Sequence, residues 1–157
     1  MAVEKAEFRQ ALGHFAAAVT VVTANREDGT PAGITVTAFS SLSLEPPLVL
    51  VCIDKRARLH DTFKKDSAFA VNILSEEQES VSRRFASSEP DQFREIGYTP
   101  GPLGAPLVQD AICSIECKVV DLVPEGDHTI VVGEVEDTRI REGKPLVYFR
   151  SGYAALK

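Results

Sequence analysis

The sequence predicts a mainly β protein, built as a closed or split β-barrel with a few peripheral helices. Segments with strand character follow one another along the chain, and hairpin signals separate several of them. The few helical segments do not alternate regularly with the strands, which argues against a parallel α/β sheet. A chain of 157 residues can bury a real core, so we expect a single domain over residues 1–157.

Composition excludes several classes of function. Hydrophobic residues make up 44% of the chain, and no apolar run reaches the roughly 20 residues that a membrane helix needs. Residues 1–7 are charged and unlike a secretory signal, so we expect a cytoplasmic protein that does not bind membranes. The net charge of -6 disfavours nucleic-acid binding. We interpret Cys52, Cys113 and Cys117 as buried thiols and expect no metal site, because the other ligands are missing.

The first elements are a helix and a hairpin. Phe8, Leu12 and Phe15 recur at helical spacing, which predicts a helix over residues 4–15 that packs on the core. Residues 18–24 are rich in Val and Thr, and Asp28-Gly29 then gives a strong hairpin signal before the next strand.

Residues 33–43 alternate apolar and hydroxyl side chains. Run as one strand, they place hydroxyls on a shared face at Thr35, Thr37, Ser41 and Ser43. Neutral hydroxyls suit a flat ring with a polar edge, or a phosphate. An amphipathic strand with a solvated face explains the same pattern equally well.

Residues 48–54 form a nearly continuous apolar run, which predicts a central strand buried on both faces. The basic loop that follows contains Arg56 and Arg58, and it leads into a short helix ending near Lys65. The two arginines either hold a phosphate through forked hydrogen bonds or form a solvated charge run.

A strand over residues 68–74 precedes a second helix, with Ser75 as its N-cap and Gln78 closing a capping box. This helix is expected to end near Phe85, an aromatic residue that either covers a planar ligand or belongs to the core. Residues 86–105 contain several glycines and prolines and predict a long surface loop.

The last part of the chain predicts antiparallel strands over residues 111–123, 129–140 and 146–150. His128 lies at the hairpin after Gly126-Asp127, where it is either a solvated turn residue or a group projecting towards a ligand. His60 is interpreted as a helix-surface residue, and Tyr153 either lines a pocket or anchors the terminus. No Rossmann, P-loop or nucleophile-elbow motif is present in the sequence.

From about Phe8 to Tyr153 the chain resembles the short-chain flavin reductase family, the FMN-binding split barrels that supply reduced flavin to partner monooxygenases. The resemblance rests on residues 33–43, the strand beginning Pro46-Pro47, residues 69–74, Gly126-Asp127-His128 and Gly152-Tyr153. It implies a Greek-key-like split barrel of the flavin reductase type.

The resemblance also implies the site. It places the flavin ring along Thr35, Thr37, Ala38, Ser40, Ser41 and Ser43, and the ribityl and phosphate along Cys52, Asp54, Arg56 and Arg58. Phe85, Ala86 and Tyr153 would lie near the flavin, and His128 where the nicotinamide approaches. The family often has small hydroxyl residues where Arg56 and Leu59 stand here, which leaves the choice between FMN and FAD open.

The implied reaction is hydride transfer from NADH or NADPH to FMN or FAD, after which a partner flavin-dependent monooxygenase receives the reduced flavin. The resemblance further implies a homodimer. Two other classes of protein remain as alternatives, a non-catalytic flavin-binding carrier or sensor and an oligonucleotide-binding barrel. The acidic composition and the absence of Trp disfavour the second of these.

Overall fold

The computed structural model describes residues 2–157 and confirms the mainly β prediction. Its elements are α1 Lys5–Leu12, β1 Ala17–Ala18, β2 Thr20–Asn25, β3 Pro31–Val36, β4 Phe39–Ser43, β5 Leu48–Asp54, β6 Ala68–Ile73, α2 Glu79–Ala86, β7 Tyr98–Pro100, β8 Pro106–Val108, β9 Cys113–Glu125, β10 His128–Ile140, β11 Val147–Phe149 and β12 Gly152–Ala154. None of the helices in residues 2–157 is long and apolar enough to span a bilayer.

The main sheet is antiparallel and contains seven strands in the order β3-β2-β6-β9-β10-β5-β4. Its two outer strands, β3 and β4, are consecutive in the chain and are linked only by Thr37 and Ala38. Because so short a link holds both edges close together, the sheet has to curl into a barrel. The predicted single strand over residues 33–43 is therefore wrong, since it is divided between the two edges.

The barrel interior is filled by alternate side chains of the central strands. The fully buried members include Val22, Val51, Phe69, Val119 and Val131. A Cβ at position 133 would lie 2.5 Å from the Phe69 ring, so this aromatic side chain needs a glycine beside it. The register of β10 against β9 shifts at the same point.

Helix α2 covers one end of the barrel through Phe85, which packs in a second core cluster with Val21, Leu74 and Phe93. The helix begins at Glu79 rather than directly after Ser75. The backbone N–H of Ser75 donates to Gln78 Oε1 at 3.0 Å, so one half of the predicted capping box forms, but it closes a turn that precedes the helix.

Helix α1 lies beside a small sheet formed by β1, β11 and β12. The prediction that it packs on the core is wrong, because none of its side chains is buried, and Phe8 and Leu12 are 54% and 58% exposed. The helix also ends before Phe15, which is 80% exposed. Its attachment is instead at its C-terminal end, where the Arg150 N–H donates to the carbonyl of Gly13 at 2.8 Å.

Strand β5 is neither central nor buried on both faces, which corrects another prediction. It lies next to the edge strand β4, and fully buried side chains alternate along it with half-buried ones. A continuous apolar run therefore did not distinguish a fully covered strand from a half-covered barrel strand. Cys52 belongs to the half-buried set, as does Cys113 on β9, so only Cys117 is a fully buried thiol.

Two loop predictions also change. The helix expected after the basic loop is a single 3₁₀ turn over His60–Thr62. The long loop over residues 86–105 contains β7, which pairs with β8, and it contributes Gln92, Phe93 and Ala105 to the buried interior. The hairpin at Asp28-Gly29 is confirmed, with Gly29 at a φ of 82°.

Candidate functional site

One cleft, here called the Arg58 cleft, has a volume of about 390 Å³ and lies between β3, the loop after β5 and the end of α2. It brings together five of the predicted site residues, namely Thr35, Arg56, Arg58, Phe85 and Ala86. Its wall also includes residues that the sequence reasoning missed, among them Arg26, Ser87 and Ser88. Three arginines thus surround one cleft in an acidic protein, which favours an anionic ligand.

The arginines of this cleft differ in their partners. Arg56 forms a forked contact to Asp54, with Nε 3.2 Å from Oδ1 and Nη2 2.9 Å from Oδ2. These donors and the Arg56 backbone N–H hold the pKa of the Asp54 carboxyl well below its usual range, and Asp54 in turn raises the pKa of Arg56. Arg58 donates to the carbonyl of Glu89 at 2.8 Å and has no carboxylate partner within residues 2–157. Arg58 is therefore the better placed of the two to contact a phosphate.

The wall formed by α2 is held by Ser82. The Thr35 hydroxyl donates to the carbonyl oxygen of Ser82 at 2.6 Å, and the Ser82 hydroxyl lies 2.8 Å from the Tyr153 hydroxyl. Arg83 places its guanidinium 4.9 Å from the centre of the Tyr153 ring. Ser82 thus links two predicted site residues, and no local sequence signal marks it.

Phe85 shapes the cleft from behind. Its side chain is only 1% exposed, and a Cβ at Gly33 would lie 2.7 Å from its ring. The ring therefore packs against the bare backbone of β3 and supports the cleft wall, as the core interpretation of this residue expected.

The link between β3 and β4 offers unpaired donors. Thr37 and Ala38 are exposed, and in the described chain their backbone N–H groups donate to no protein acceptor. Their carbonyls are occupied, since that of Thr37 accepts from Phe39 N–H and that of Ala38 from Cys52 N–H. On β4 the exposed Ser40 hydroxyl donates to the carbonyl of Ser41 at 2.9 Å. Two adjacent N–H groups followed by serine hydroxyls can bind the polar edge of a ring.

His128 begins β10 and pairs across the sheet with Asp54 of β5. Its Nδ1 lies 2.7 Å from Asp127 Oδ1, a contact that lowers the pKa of the Asp127 carboxyl. His128 does not line the Arg58 cleft. Asp54 connects His128 to this cleft, because Asp54 also forms an ion pair with Arg56, which lines it. His60 is half-buried at the same end of the barrel, with Nε2 2.8 Å from the Thr129 hydroxyl, and is not a helix-surface residue.

The other predicted residues lie outside the Arg58 cleft. Thr37 lines a separate cleft of about 360 Å³ together with Tyr148, Phe8, Leu12 and Phe15, and this cleft is here called the Tyr148 cleft. Of the others apart from His128, Ala38 lies in the link before β4, and the rest are distributed over β4, β5 and β12, at Ser40, Ser41, Ser43, Cys52, Asp54 and Tyr153. A further cleft of about 560 Å³ near the start of α2 contains none of the predicted residues.

A family model described as flavin reductase like domain matches residues 12–157. The chain belongs to this family. It is 38% identical over 157 residues to the reductase subunit HsaB of a flavin-dependent monooxygenase from Rhodococcus jostii strain RHA1. This alignment covers 99% of the present chain and 80% of the relative.

Solved structures support the same assignment of this flavin reductase-like chain. Flavin reductase PheA2 in its native state aligns with a TM-score of 0.90 and 38% identity over 99% of both chains. The NADH:FAD oxidoreductase SgcE6 of Streptomyces globisporus C-1027, in complex with NAD and FAD fragments, aligns with a TM-score of 0.92 and 34% identity over 98% of this chain and 93% of that one. The resemblance and the split-barrel fold predicted from the sequence are confirmed, and so is the class of oxidoreductase.

Proposed function

We propose that this flavin reductase-like chain is an NAD(P)H-dependent flavin reductase in which residues 1–157 act as one domain. When bound, FMN or FAD supplies the redox centre that accepts a hydride from NADH or NADPH. The protein's own contribution is to hold both ligands in a reactive arrangement and to balance their charges.

The observation that carries the proposal is that the backbone N–H groups of Thr37 and Ala38, in the link between β3 and β4, donate to no protein acceptor within residues 2–157. Neutral donors of this kind suit the carbonyls and ring nitrogens at the polar edge of a flavin without imposing a charge. Ser40 and Ser41 of β4 are both exposed and add hydroxyl groups to the chain directly after this link.

Charge supports the placement of the phosphate. The Arg58 cleft carries three arginines, and within residues 2–157 Arg56 alone of the three forms an ion pair, with Asp54. Arg58, fixed against the carbonyl of Glu89, would bind a flavin phosphate through its remaining N–H donors. The residues present therefore fit both ends of a flavin.

His128 is assigned as a residue that orients the nicotinamide. Its ring is 44% exposed and is held by the neighbouring Asp127, so it presents a fixed face beside Asp54. Hydride transfer itself moves no proton, and we assign His128 no role as an acid.

A homodimer completes the proposal. Leu42 lies on the edge strand β4 and is 50% exposed, and Leu44 directly after this strand is 92% exposed. The outer face of the neighbouring strand β5 is only half-buried. Pairing of two copies over this edge would bury apolar surface and cover an open sheet edge. Light scattering of wild type and Leu44→Asp tests this, with a dimer expected for the first and a monomer for the second. A wild-type monomer at working concentration would contradict it.

The receiver of reduced flavin is proposed to be a flavin-dependent monooxygenase. The relative HsaB is named as the reductase subunit of such an enzyme, and it matches almost the whole of this chain. Coupled turnover with a candidate oxygenase, compared with the oxygenase alone, tests the assignment.

The deciding experiment mixes the purified protein with excess FMN or FAD and with NADH or NADPH in the absence of oxygen. Loss of the nicotinamide and flavin absorbance bands over many turnovers is expected, and it ranks both pairs of substrates. Flavin that stays bound through gel filtration without any NAD(P)H oxidation would identify a carrier or sensor instead.

A further inference from the structure

A second basic cleft lies away from the Arg58 cleft, between α1 and the turn that joins β11 to β12. We call it the Arg150 cleft. It has a volume of about 660 Å³ and is lined by Arg9, His14 and Arg150, so its charged lining consists of two arginines without any carboxylate. In a protein of net charge -6, such a concentration of positive charge indicates a site for an anion.

The side chains of this cleft are held in place by contacts that leave donors free. His14 Nδ1 lies 2.9 Å from the carbonyl oxygen of Gln10, which can only accept, so His14 Nε2 accepts from Arg150 Nη2 at 3.2 Å. The Arg150 guanidinium also lies 5.3 Å from the centre of the Phe149 ring. Over residues 2–157, neither Arg9 nor Arg150 forms an ion pair. A fixed guanidinium with unused N–H donors matches the geometry of a phosphate group.

The backbone at Arg150 is an independent indication. Phe149 pairs with Gly152, so Arg150 and Ser151 form a two-residue hairpin turn, and their φ angles are 50° and 62°. A turn with two positive φ angles favours Asn-Gly, and neither arginine nor serine suits it. Strained residues of this kind persist where surrounding structure fixes them, commonly at binding sites. The Arg150 N–H donates to the Gly13 carbonyl and so fixes the turn against the end of α1.

The neighbouring surface suits the rest of a nucleotide. The Arg150 cleft shares Arg9, Gly13 and Ser151 with the Tyr148 cleft, which offers apolar and aromatic side chains for a ring. Thr37 lines this Tyr148 cleft, whereas Thr35, two residues earlier, lines the Arg58 cleft. The Arg58 cleft therefore adjoins this stretch directly, and the Arg150 cleft adjoins it through the Tyr148 cleft.

We infer that Arg9 and Arg150, with His14 as a positioning residue, bind a phosphate group of the nicotinamide cosubstrate. The inference rests on the proposed function, in which two phosphate-bearing ligands must meet at the stretch containing Thr35 and Thr37. The Arg58 cleft then serves the flavin, and the Arg150 cleft serves NADH or NADPH.

The test uses Arg150→Asn, because asparagine tolerates a positive φ and the variant removes the charge without straining the turn. With FMN as acceptor, which carries a single phosphate, the KM for NADH is expected to rise about tenfold from the loss of one charged contact. The KM for FMN should stay at the wild-type value, and the thermal midpoint should not fall. Arg150→Lys should recover part of the loss, and Arg139→Gln, an exposed arginine outside all of these clefts, should match wild type.

A second measurement is independent of turnover. Calorimetric titration with ADP, in the presence of FMN, should show binding to wild type that weakens about tenfold in Arg150→Asn. An unchanged KM for NADH would overturn the inference. An increase confined to the KM for FAD would also overturn it, because the Arg150 cleft would then bind a phosphate of the flavin. Arg150-dependent ADP binding by a wild type without reductase turnover would support the phosphate site and contradict the proposed function instead.

Discussion

Thr35 and Thr37 form a matched pair for separating a structural hydroxyl from a ligand-binding one. The Thr35 hydroxyl donates to the carbonyl oxygen of Ser82 at 2.6 Å, whereas Thr37 is exposed and its hydroxyl has no protein partner in the described part of the chain. Valine replaces either hydroxyl with a methyl group of nearly the same size. Loss of one neutral, partly buried hydrogen bond costs about 1 kcal/mol of unfolding free energy.

For a domain of 157 residues, that loss corresponds to a fall of about 3 °C in the midpoint of thermal unfolding. We therefore expect the midpoint of Thr35→Val to be about 3 °C lower than that of wild type. The midpoint of Thr37→Val should equal that of wild type, because an exposed substitution changes stability by less than about 0.5 kcal/mol. Differential scanning fluorimetry without ligands measures both. Flavin titration should then show weaker FMN binding in Thr37→Val. A stable Thr35→Val together with an unstable Thr37→Val would refute this division of roles.

Four further variants test the site and its surroundings. Arg58→Ala should raise the KM for flavin about tenfold by removing a charged contact to phosphate, and an unchanged flavin dependence would place the phosphate elsewhere. His128→Ala should raise the KM for NADH more than that for flavin in steady-state assays, whereas equal losses would make the residue part of the scaffold. Asp54 has a lowered pKa in the folded state, so its ion pair stabilises the fold above about pH 4 and is lost as the pH falls further. Asp54→Asn should accordingly unfold earlier than wild type at pH 7, with the difference narrowing in acid; a difference independent of pH would contradict the assigned cause. Gly101→Ala should destabilise the protein by about 2 kcal/mol in urea unfolding, because a Cβ there would overlap the buried Glu116 carboxylate, and a wild-type midpoint would show that this carboxylate moves freely.

Features with a local cause were predictable from the sequence. Asp28-Gly29 and Gly126-Asp127 specify their hairpins through backbone conformation, and the strands that they join follow from β-branched residues. The arrangement of edges was not predictable in this way. Nothing in the alternation over residues 33–43 distinguishes one strand from two, because the division at Thr37 depends on how the whole sheet curls.

In the candidate site, too, residues with a local signal were predictable from the sequence, and contacts between distant parts of the chain were not. Arg58 and His128 were identified from a loop position and a family resemblance; Arg58 lines the Arg58 cleft and His128 begins β10 beside Asp54, and their roles toward the ligands stay predictions. Ser82 was missed because its partners Thr35 and Tyr153 are 47 and 71 residues away along the chain. Helical spacing gave α1 an apolar face, but periodicity does not reveal whether the rest of the fold covers that face.

The two-residue link between β3 and β4 also limits how the protein handles a ligand. Three Cα steps join Val36 to Phe39, so the opening between the two sheet edges at this end cannot exceed about 11 Å, however the surrounding loops move. The barrel is fastened here by covalent bonds, and the N–H groups of Thr37 and Ala38 take no part in the ladder. In the proposed function, a flavin seated on them would therefore arrive and depart without breaking any hydrogen bond of the sheet.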